Sequence, residues 1–125
     1  AVGLDLTLRD LQLVAKQKGR PWALAKGFDT SAPVSAFRAT SEVSDPQNLA
    51  LTLQVNGLLR QSGSTADMIV PVAGLICFVS TFMTLEPGDL IFTGTPAGVG
   101  ALKTGDAVQA EASGIGRLKV SVGAP

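Results

Sequence analysis

The spacing of apolar side chains along the chain predicts two short helices. One helical face near the start is formed by Leu8, Leu11, Val14 and Ala15. Thr7, with Asp10 three residues later, predicts an N-cap resembling a capping box in which Asp replaces Glu or Gln. A second apolar run, residues 69–83, predicts a buried helix that begins near Pro71. This run is shorter than the ~20 residues of a membrane span.

Two further segments have the alternation of strands. Residues 51–55 alternate apolar and polar side chains and end at Asn56-Gly57, a strong signal for a tight hairpin turn. A second hairpin is predicted across residues 113–116, joining "AVQAEA" to "RLKVSV". The pattern as a whole predicts a mixed α/β, β-rich fold with two short helices, formed by residues 1–125 as a single domain.

Composition narrows the classes of function. Ten basic and ten acidic residues give no net charge, which argues against nucleic acid and anionic membranes as partners. The chain has no histidine, so it holds no Ser-His-Asp triad and no His-ligated zinc site. The single cysteine, Cys77, is predicted to be a small core residue, and a lone cysteine fits a reducing compartment such as the cytoplasm.

The stretch "LIFTGTPAGVG", residues 90–100, has the outline of a strand that enters a glycine-rich loop. It does not match a phosphate-binding P-loop, because no lysine follows at the required spacing. Pro96 also removes one backbone N–H donor from the loop. The loop is therefore either a site for another ligand or a plain turn between strands.

A few polar residues lie among apolar neighbours. Asp5, between Leu4 and Leu6, is predicted to lie at the end of a strand, where a carboxylate needs a cation, a donor or a metal. The alternative is a helix-capping carboxylate. Lys26 follows apolar residues in "WALAKGF", so its ammonium is expected to be paired or partly desolvated, or else to reach the surface along its own stem.

Several long motifs together resemble the fumarylacetoacetate hydrolase family, closest to its acylpyruvase-like members. They are "LDLTLRDLQ", "KGRPWALAKGFDTSAPVS", "LQVNGLLRQSGST", "MIVPVAGLICFVSTFMTLEPGDLIFTGTPAGVG" and "GDAVQAEASGIGRL". The resemblance covers about residues 3–122 and implies part of a mixed β-sandwich roll. It also implies that residues 1–125 are the C-terminal part of a catalytic domain whose N-terminal segment lies elsewhere.

The resemblance carries site roles over to particular residues. Asp5 corresponds to a carboxylate that binds Mg²⁺ or Mn²⁺, and Lys26 to a lysine beside that metal. Gln12 corresponds to a glutamine that orients the substrate, and Thr95 to a threonine that contacts the substrate carboxylate. The implied set is thus Lys26 and Gln12 for catalysis, Asp5 for the metal, and Arg9, Gln61, Gly94 and Thr95 for the substrate.

The implied reaction is the hydrolysis of a C–C bond in a 2,4-dioxo acid, in which an enolate leaves while held on the metal. The family's other metal ligands, a Glu-x-Glu pair, and its water-activating His and Glu are not among these residues. Alternatives are a hydratase, isomerase or oxaloacetate decarboxylase of the same family, or a catalytically inert binding module. A homodimer, a small 2-oxo or 2,4-dioxo acid as partner, and a cytoplasmic location complete the expectations.

Overall fold

A four-stranded antiparallel sheet forms the centre of the computed structural model, which describes residues 1–124. Its strands are β1 (Ala50–Val55), β2 (Leu58–Ser64), β3 (Ala107–Ala112) and β4 (Gly116–Ser121). They lie in the order β2-β1-β3-β4, with β1 paired to both β2 and β3. Both predicted hairpins are therefore confirmed, because β1 and β2 are joined at Asn56-Gly57 and β3 and β4 across residues 113–115.

The turn between β1 and β2 is tied to the start of β3. Asn56 and Gly57 have the positive φ angles, 52° and 79°, that such a turn requires. The Asn56 side chain donates to Asp106 Oδ1 at 2.8 Å and accepts from the Ala107 backbone N–H at 2.8 Å. One amide side chain thus fixes the register between the two hairpins.

The core lies on one face of this sheet. Its buried side chains are Val2, Leu4, Val55, Val108, Ala110, Ala112 and Leu118. Val2 and Leu4 belong to the first segment of the chain, which runs antiparallel to residues 31–35. The first residues of the chain thus complete a core that is otherwise formed by the two hairpins.

Three α-helices accompany the sheet: α1 (Arg9–Gln17), the single turn α2 (Ala23–Lys26) and α3 (Val72–Ser80). Helices α1 and α3 confirm the two predicted helices, and α2 is additional. The predicted capping box at Thr7 is wrong, because α1 has Leu8 at its N-cap with no side-chain cap. The Leu8 backbone N–H donates to the Ala25 carbonyl at 3.1 Å, which keeps residue 8 extended and starts the helix later.

Helix α3 is not buried, contrary to the expectation from its sequence. None of its residues is buried, and Ile76 and Phe78 are 46% and 62% exposed. Cys77 is likewise exposed, so its predicted place in the core is wrong. An apolar helix needs a covering surface, and residues 1–124 do not supply one.

Two predicted strands do not form as regular strands. The segment before Asp5 forms one isolated bridge, Gly3 to Val34, because Pro33 has no N–H to extend the pairing. Residues 90–93 have no strand pairing, contrary to prediction. The mixed, β-rich class with few helices is nevertheless confirmed, since a four-stranded antiparallel sheet is accompanied by three short helices.

Candidate functional site

Asp5 and Lys26 form an ion pair at the end of the first extended segment. Lys26 Nζ lies 2.8 Å from each carboxylate oxygen of Asp5, and the two side chains are 33% (Lys26) and 54% (Asp5) exposed. A pair this accessible contributes little to stability, typically ~0–1 kcal/mol. The sequence-based expectation that Lys26 would be paired is confirmed.

Local backbone contacts explain why these two residues meet. Ala25, 1% exposed, is the buried anchor of the one-turn helix α2. Its carbonyl accepts from the Leu8 N–H, while the Leu6 N–H donates to the Ser31 carbonyl at 2.8 Å. The Asp5 segment is thereby fixed on both sides of α2, and Lys26, next to Ala25, is placed beside the carboxylate.

Two other predicted site residues meet on the first turn of α1. Arg9 Nη1 donates to Gln12 Oε1 at 3.2 Å, as side chains three apart on a helix can do. Arg9 is exposed and Gln12 is half-buried. This bond leaves the Gln12 amide nitrogen and most of the Arg9 donors free for a ligand.

The glycine-rich loop is held by strand β2. Gln61, 9% exposed, donates from Nε2 to Thr95 Oγ1 at 2.7 Å and to the Pro96 carbonyl at 2.8 Å. Gly94, just before Thr95, has a φ of 103°, a conformation that a residue with a Cβ rarely adopts. The structure therefore brings Gln61, Gly94 and Thr95 together.

Sequence reasoning missed how closely this loop approaches the strand. A Cβ at Gly98, whose φ is 99°, would lie 2.0 Å from the Arg60 carbonyl oxygen. Arg60 is the extra residue of a β-bulge, since Leu53 pairs with Gln61 and Gln54 with Leu59. The many glycines of the loop indicate that its backbone comes close to another part of the chain. Only the bulge at Arg60 shows which residue of β2 it approaches.

The same loop also reaches the Asp5 segment. A Cβ at Gly3 would lie 2.9 Å from the Phe92 ring, so Phe92 packs directly on Gly3. Val2 and Leu4 are buried, and side chains alternate along an extended segment. Asp5 therefore points to the same face of the segment as the Phe92 contact.

The three pairs, Asp5 with Lys26, Arg9 with Gln12 and Gln61 with Thr95, share no hydrogen bond with one another within residues 1–124. The described residues also contain no group of three or more His, Cys, Asp or Glu side chains able to hold a metal ion. The Asp5 carboxylate is a hard oxygen donor suited to Mg²⁺ or Mn²⁺, but one carboxylate does not complete a site. The carboxylate of Asp5 is thus the right type of donor for a divalent ion, but the described residues supply too few donors to complete its coordination.

None of the helices in residues 1–124 has the length and apolar character of a membrane span.

Comparison with known proteins identifies the family. The family model described as "Fumarylacetoacetate (FAA) hydrolase C-terminal" matches residues 1–123. The mitochondrial oxaloacetate tautomerase of Bos taurus is 50% identical over 125 residues, which are 100% of this chain and 57% of that protein. The oxaloacetate tautomerase of Escherichia coli K12 is 54% identical over 106 residues, 84% of this chain and 48% of that protein.

A solved structure agrees with the sequence matches. The fumarylpyruvate hydrolase of Pseudomonas aeruginosa, in complex with Mn²⁺ and pyruvate, is 44% identical with a TM-score of 0.96, over 100% of this chain and 54% of that chain. The chain thus spans about half the length of the curated relatives it matches. Its sequence and its fold agree with the same group of enzymes, and the chain belongs to the fumarylacetoacetate hydrolase family.

Proposed function

We propose that this chain supplies part of the active site of a metal-dependent enzyme that acts on a small 2-oxo or 2,4-dioxo acid through an enolate. The reaction proposed first is hydrolysis of a C–C bond in a 2,4-dioxo acid of the acylpyruvate or fumarylacetoacetate type. Residues 1–125 are then the C-terminal part of the catalytic domain.

The observation that supports this proposal most directly is the accessible ion pair. Lys26 donates to both oxygens of Asp5 at 2.8 Å, although both side chains remain open to solvent. Such a pair is worth little to the fold, yet α2 and two backbone hydrogen bonds are arranged to hold it. An open carboxylate beside an ammonium is suited to a ligand that carries both positive and negative charge, such as a cation with an oxo acid.

Each of the other site residues has a proposed task consistent with its chemistry. The Lys26 ammonium stabilises negative charge on the substrate oxygen as the enolate develops. The Thr95 hydroxyl and the loop N–H groups bind the substrate carboxylate. Gln12, held by Arg9 at 3.2 Å, orients the substrate, and the Arg9 guanidinium attracts its negative charge.

The metal proposed for Asp5 is Mn²⁺ or Mg²⁺. The fumarylpyruvate hydrolase of Pseudomonas aeruginosa was solved with Mn²⁺, which supports a divalent ion in a relative that superposes over the whole chain. Such an ion, when bound, polarises the oxygens of an oxo acid. Because Asp5 is a single donor, its remaining ligands must come from water, substrate or residues beyond those described.

A second candidate reaction, the keto–enol isomerisation of oxaloacetate, is supported by the two tautomerases at 50% and 54% identity. Hydrolysis and isomerisation share the enolate but differ in the need for an activated water. The chain has no histidine, so the base that activates this water is either a side chain of another kind or lies outside residues 1–125. An isomerase instead moves one proton between the enol oxygen and the carbon beside the carbonyl, so it needs a proton acceptor at one of these atoms and a donor at the other.

The deciding experiment is an assay of the full-length protein with Mn²⁺ or Mg²⁺ against both substrates. Loss of the absorbance of an acylpyruvate reports cleavage, and the decay of enol oxaloacetate reports isomerisation. Cleavage with formation of pyruvate supports the first proposal, while isomerisation without cleavage favours the second. If neither substrate changes in the presence of the metal, the result favours the alternative of a catalytically inert binding module.

Two further features are proposed, a homodimer and a cytoplasmic location. The exposed apolar face of α3 is consistent with a homodimer, and light scattering of the full-length protein tests it. A cytoplasmic location is proposed from the lone cysteine, whereas the bovine relative is named as mitochondrial. Fractionation of the native cells with an antibody to the chain separates the two locations.

A further inference from the structure

Gln61 is the most buried of the predicted site residues. It lies on β2 and is 9% exposed, whereas Thr95, to which it donates, is exposed. A buried amide is costly unless its polar atoms are satisfied, and this one is satisfied by the glycine-rich loop. Its amide nitrogen lies 2.7 Å from Thr95 Oγ1 and 2.8 Å from the Pro96 carbonyl oxygen. These two residues follow Gln61 by 34 and 35 positions in the sequence.

The Pro96 contact fixes which way the amide points. A carbonyl oxygen can only accept a hydrogen bond, so the atom facing Pro96 must be the amide nitrogen of Gln61. The same nitrogen carries a second hydrogen, which faces Thr95 Oγ1. In that bond the Thr95 oxygen is therefore the acceptor.

The direction of this bond leaves the Thr95 proton available. A hydroxyl has a single proton, and it is not used towards Gln61. The other neighbour of Thr95 Oγ1, the Pro96 carbonyl, is 3.5 Å away, a poor distance for a hydroxyl donor. The proton of an exposed Thr95 is thus free to be donated outwards, which suits an anionic ligand.

The strand is shaped to keep this arrangement in place. The bulge at Arg60 brings its carbonyl against Gly98, where a Cβ would lie 2.0 Å away. Two residues after Gln61, a Cβ at Gly63 would lie 2.8 Å from Pro96 Cβ. The loop is therefore seated on β2 on both sides of the Gln61 contact.

We infer that Gln61 is a positioning residue that sets the Thr95 hydroxyl as a hydrogen-bond donor to the carboxylate of the bound oxo acid. It acts through Thr95 and does not touch the ligand itself. The inference rests on the proposed function for the identity of the ligand, and on the Gln61 contacts for the direction of the bond.

A double-mutant cycle in the full-length protein tests it, with pyruvate as the probe and calorimetry in the presence of Mn²⁺ as the measurement. Thr95→Val should weaken binding about tenfold, because a hydrogen bond to a charged group is lost. Gln61→Met should weaken it several-fold in the wild-type background and hardly at all in the Thr95→Val background. Thr95→Ser, which keeps the hydroxyl, should retain most of the affinity.

Equal effects of Gln61→Met in both backgrounds, or none in the wild-type background, would overturn the inference. Gln109→Met on β3 is the matched control and should leave binding unchanged. Should Gln61→Met fail to fold, Gln61→Glu replaces it. The carboxylate of this variant can only accept a hydrogen bond from Thr95, which turns the Thr95 hydroxyl proton inwards. Gln61→Glu should therefore weaken pyruvate binding more than tenfold. In the Thr95→Val background, Gln61→Glu should leave the affinity unchanged.

The cycle also separates this inference from the proposed function. A wild-type protein that neither binds pyruvate nor converts an oxo acid would refute the proposed function and, with it, the ligand named here. The same four proteins are then compared by their free energy of unfolding. If the effects of the two substitutions on the free energy of unfolding are coupled, the contact between Gln61 and Thr95 exists but has a structural role only. If these effects are additive, the positioning of Thr95 by Gln61 is refuted as well.

Discussion

Lys26 lies 2.8 Å from both carboxylate oxygens of Asp5, although 21 residues separate the two in sequence. The ammonium occupies the face of the carboxylate that a divalent cation would also use. A metal at the proposed site on Asp5 would therefore compete with the Lys26 ammonium for the same carboxylate oxygens. This relationship makes different predictions for the two residues.

Replacing Lys26 by Met should lower turnover far more than metal affinity. The loss of the positive charge beside the developing enolate is expected to reduce kcat by roughly 10²–10³-fold. Affinity for Mn²⁺, measured by calorimetry, should change only a few-fold, because the ammonium competes with the metal for Asp5. Lys18→Met, beyond the end of α1, is the control, and unchanged kinetics in Lys26→Met would remove this lysine from the site.

Replacing Asp5 by Asn should act on the metal first. Mn²⁺ affinity is expected to fall by at least the roughly 10–100-fold that loss of an outer partner costs a metal site. Thermal unfolding should shift little, since a pair as exposed as 33% and 54% is worth about 0–1 kcal/mol. Asp10→Asn serves as the control, and a variant that keeps full Mn²⁺ affinity would refute Asp5 as a ligand.

Substituting Gly98 by Ala tests the close approach of the loop to β2. The added Cβ would lie 2.0 Å from the Arg60 carbonyl oxygen, so the loop must move or the protein must lose about 1–3 kcal/mol of its free energy of unfolding. Gly105→Ala is a matched control, because Gly105 also has a positive φ, 90°, but a Cβ there would meet nothing within 4 Å. Equal unfolding midpoints in denaturant for the two variants would contradict the structure.

The lowered pKa of Asp106 leads us to expect a loss of stability in acid. Hydrogen bonds from the Lys103 backbone N–H, and next from the Asn56 side chain, hold the pKa of Asp106 below its ordinary value of 3.8. A carboxyl group with a lowered pKa stabilises the fold above its unfolded pKa, and that contribution is lost as the pH falls through the folded pKa. Asp106→Asn should therefore flatten the dependence of Tm on pH below about pH 4, measured by thermal unfolding across that range.

The exposed apolar surface of α3 and of the residues that flank it should cause the isolated chain to associate. Ile69, Phe78 and Phe82 are 101%, 62% and 74% exposed, and exposed apolar area of this kind drives self-association. Light scattering of residues 1–125 alone should reveal oligomers or aggregates. Phe78→Ser should reduce them more than Leu24→Ser on α2, which is 82% exposed, and a monodisperse monomer of the unaltered chain would oppose this prediction.

Features encoded by neighbouring residues were predictable from the sequence. The Asn56-Gly57 turn and the alternation on either side of it specified a hairpin that the structure confirms. The apolar run after Pro71 specified a helix, and α3 begins at Val72. The long motifs indicated the fumarylacetoacetate hydrolase family, which the match over residues 1–123 confirms.

Features that depend on distant contacts were decided only by the tertiary structure. The start of α1 is set by the hydrogen bond from Leu8 to Ala25, so the local capping signal at Thr7 failed. The apolar periodicity of α3 could not reveal what covers the helix, and within residues 1–124 nothing does. The pairing of Gln61 with Thr95, 34 residues later, depends on a bulge that places Arg60 against Gly98, and no local pattern encodes such a contact.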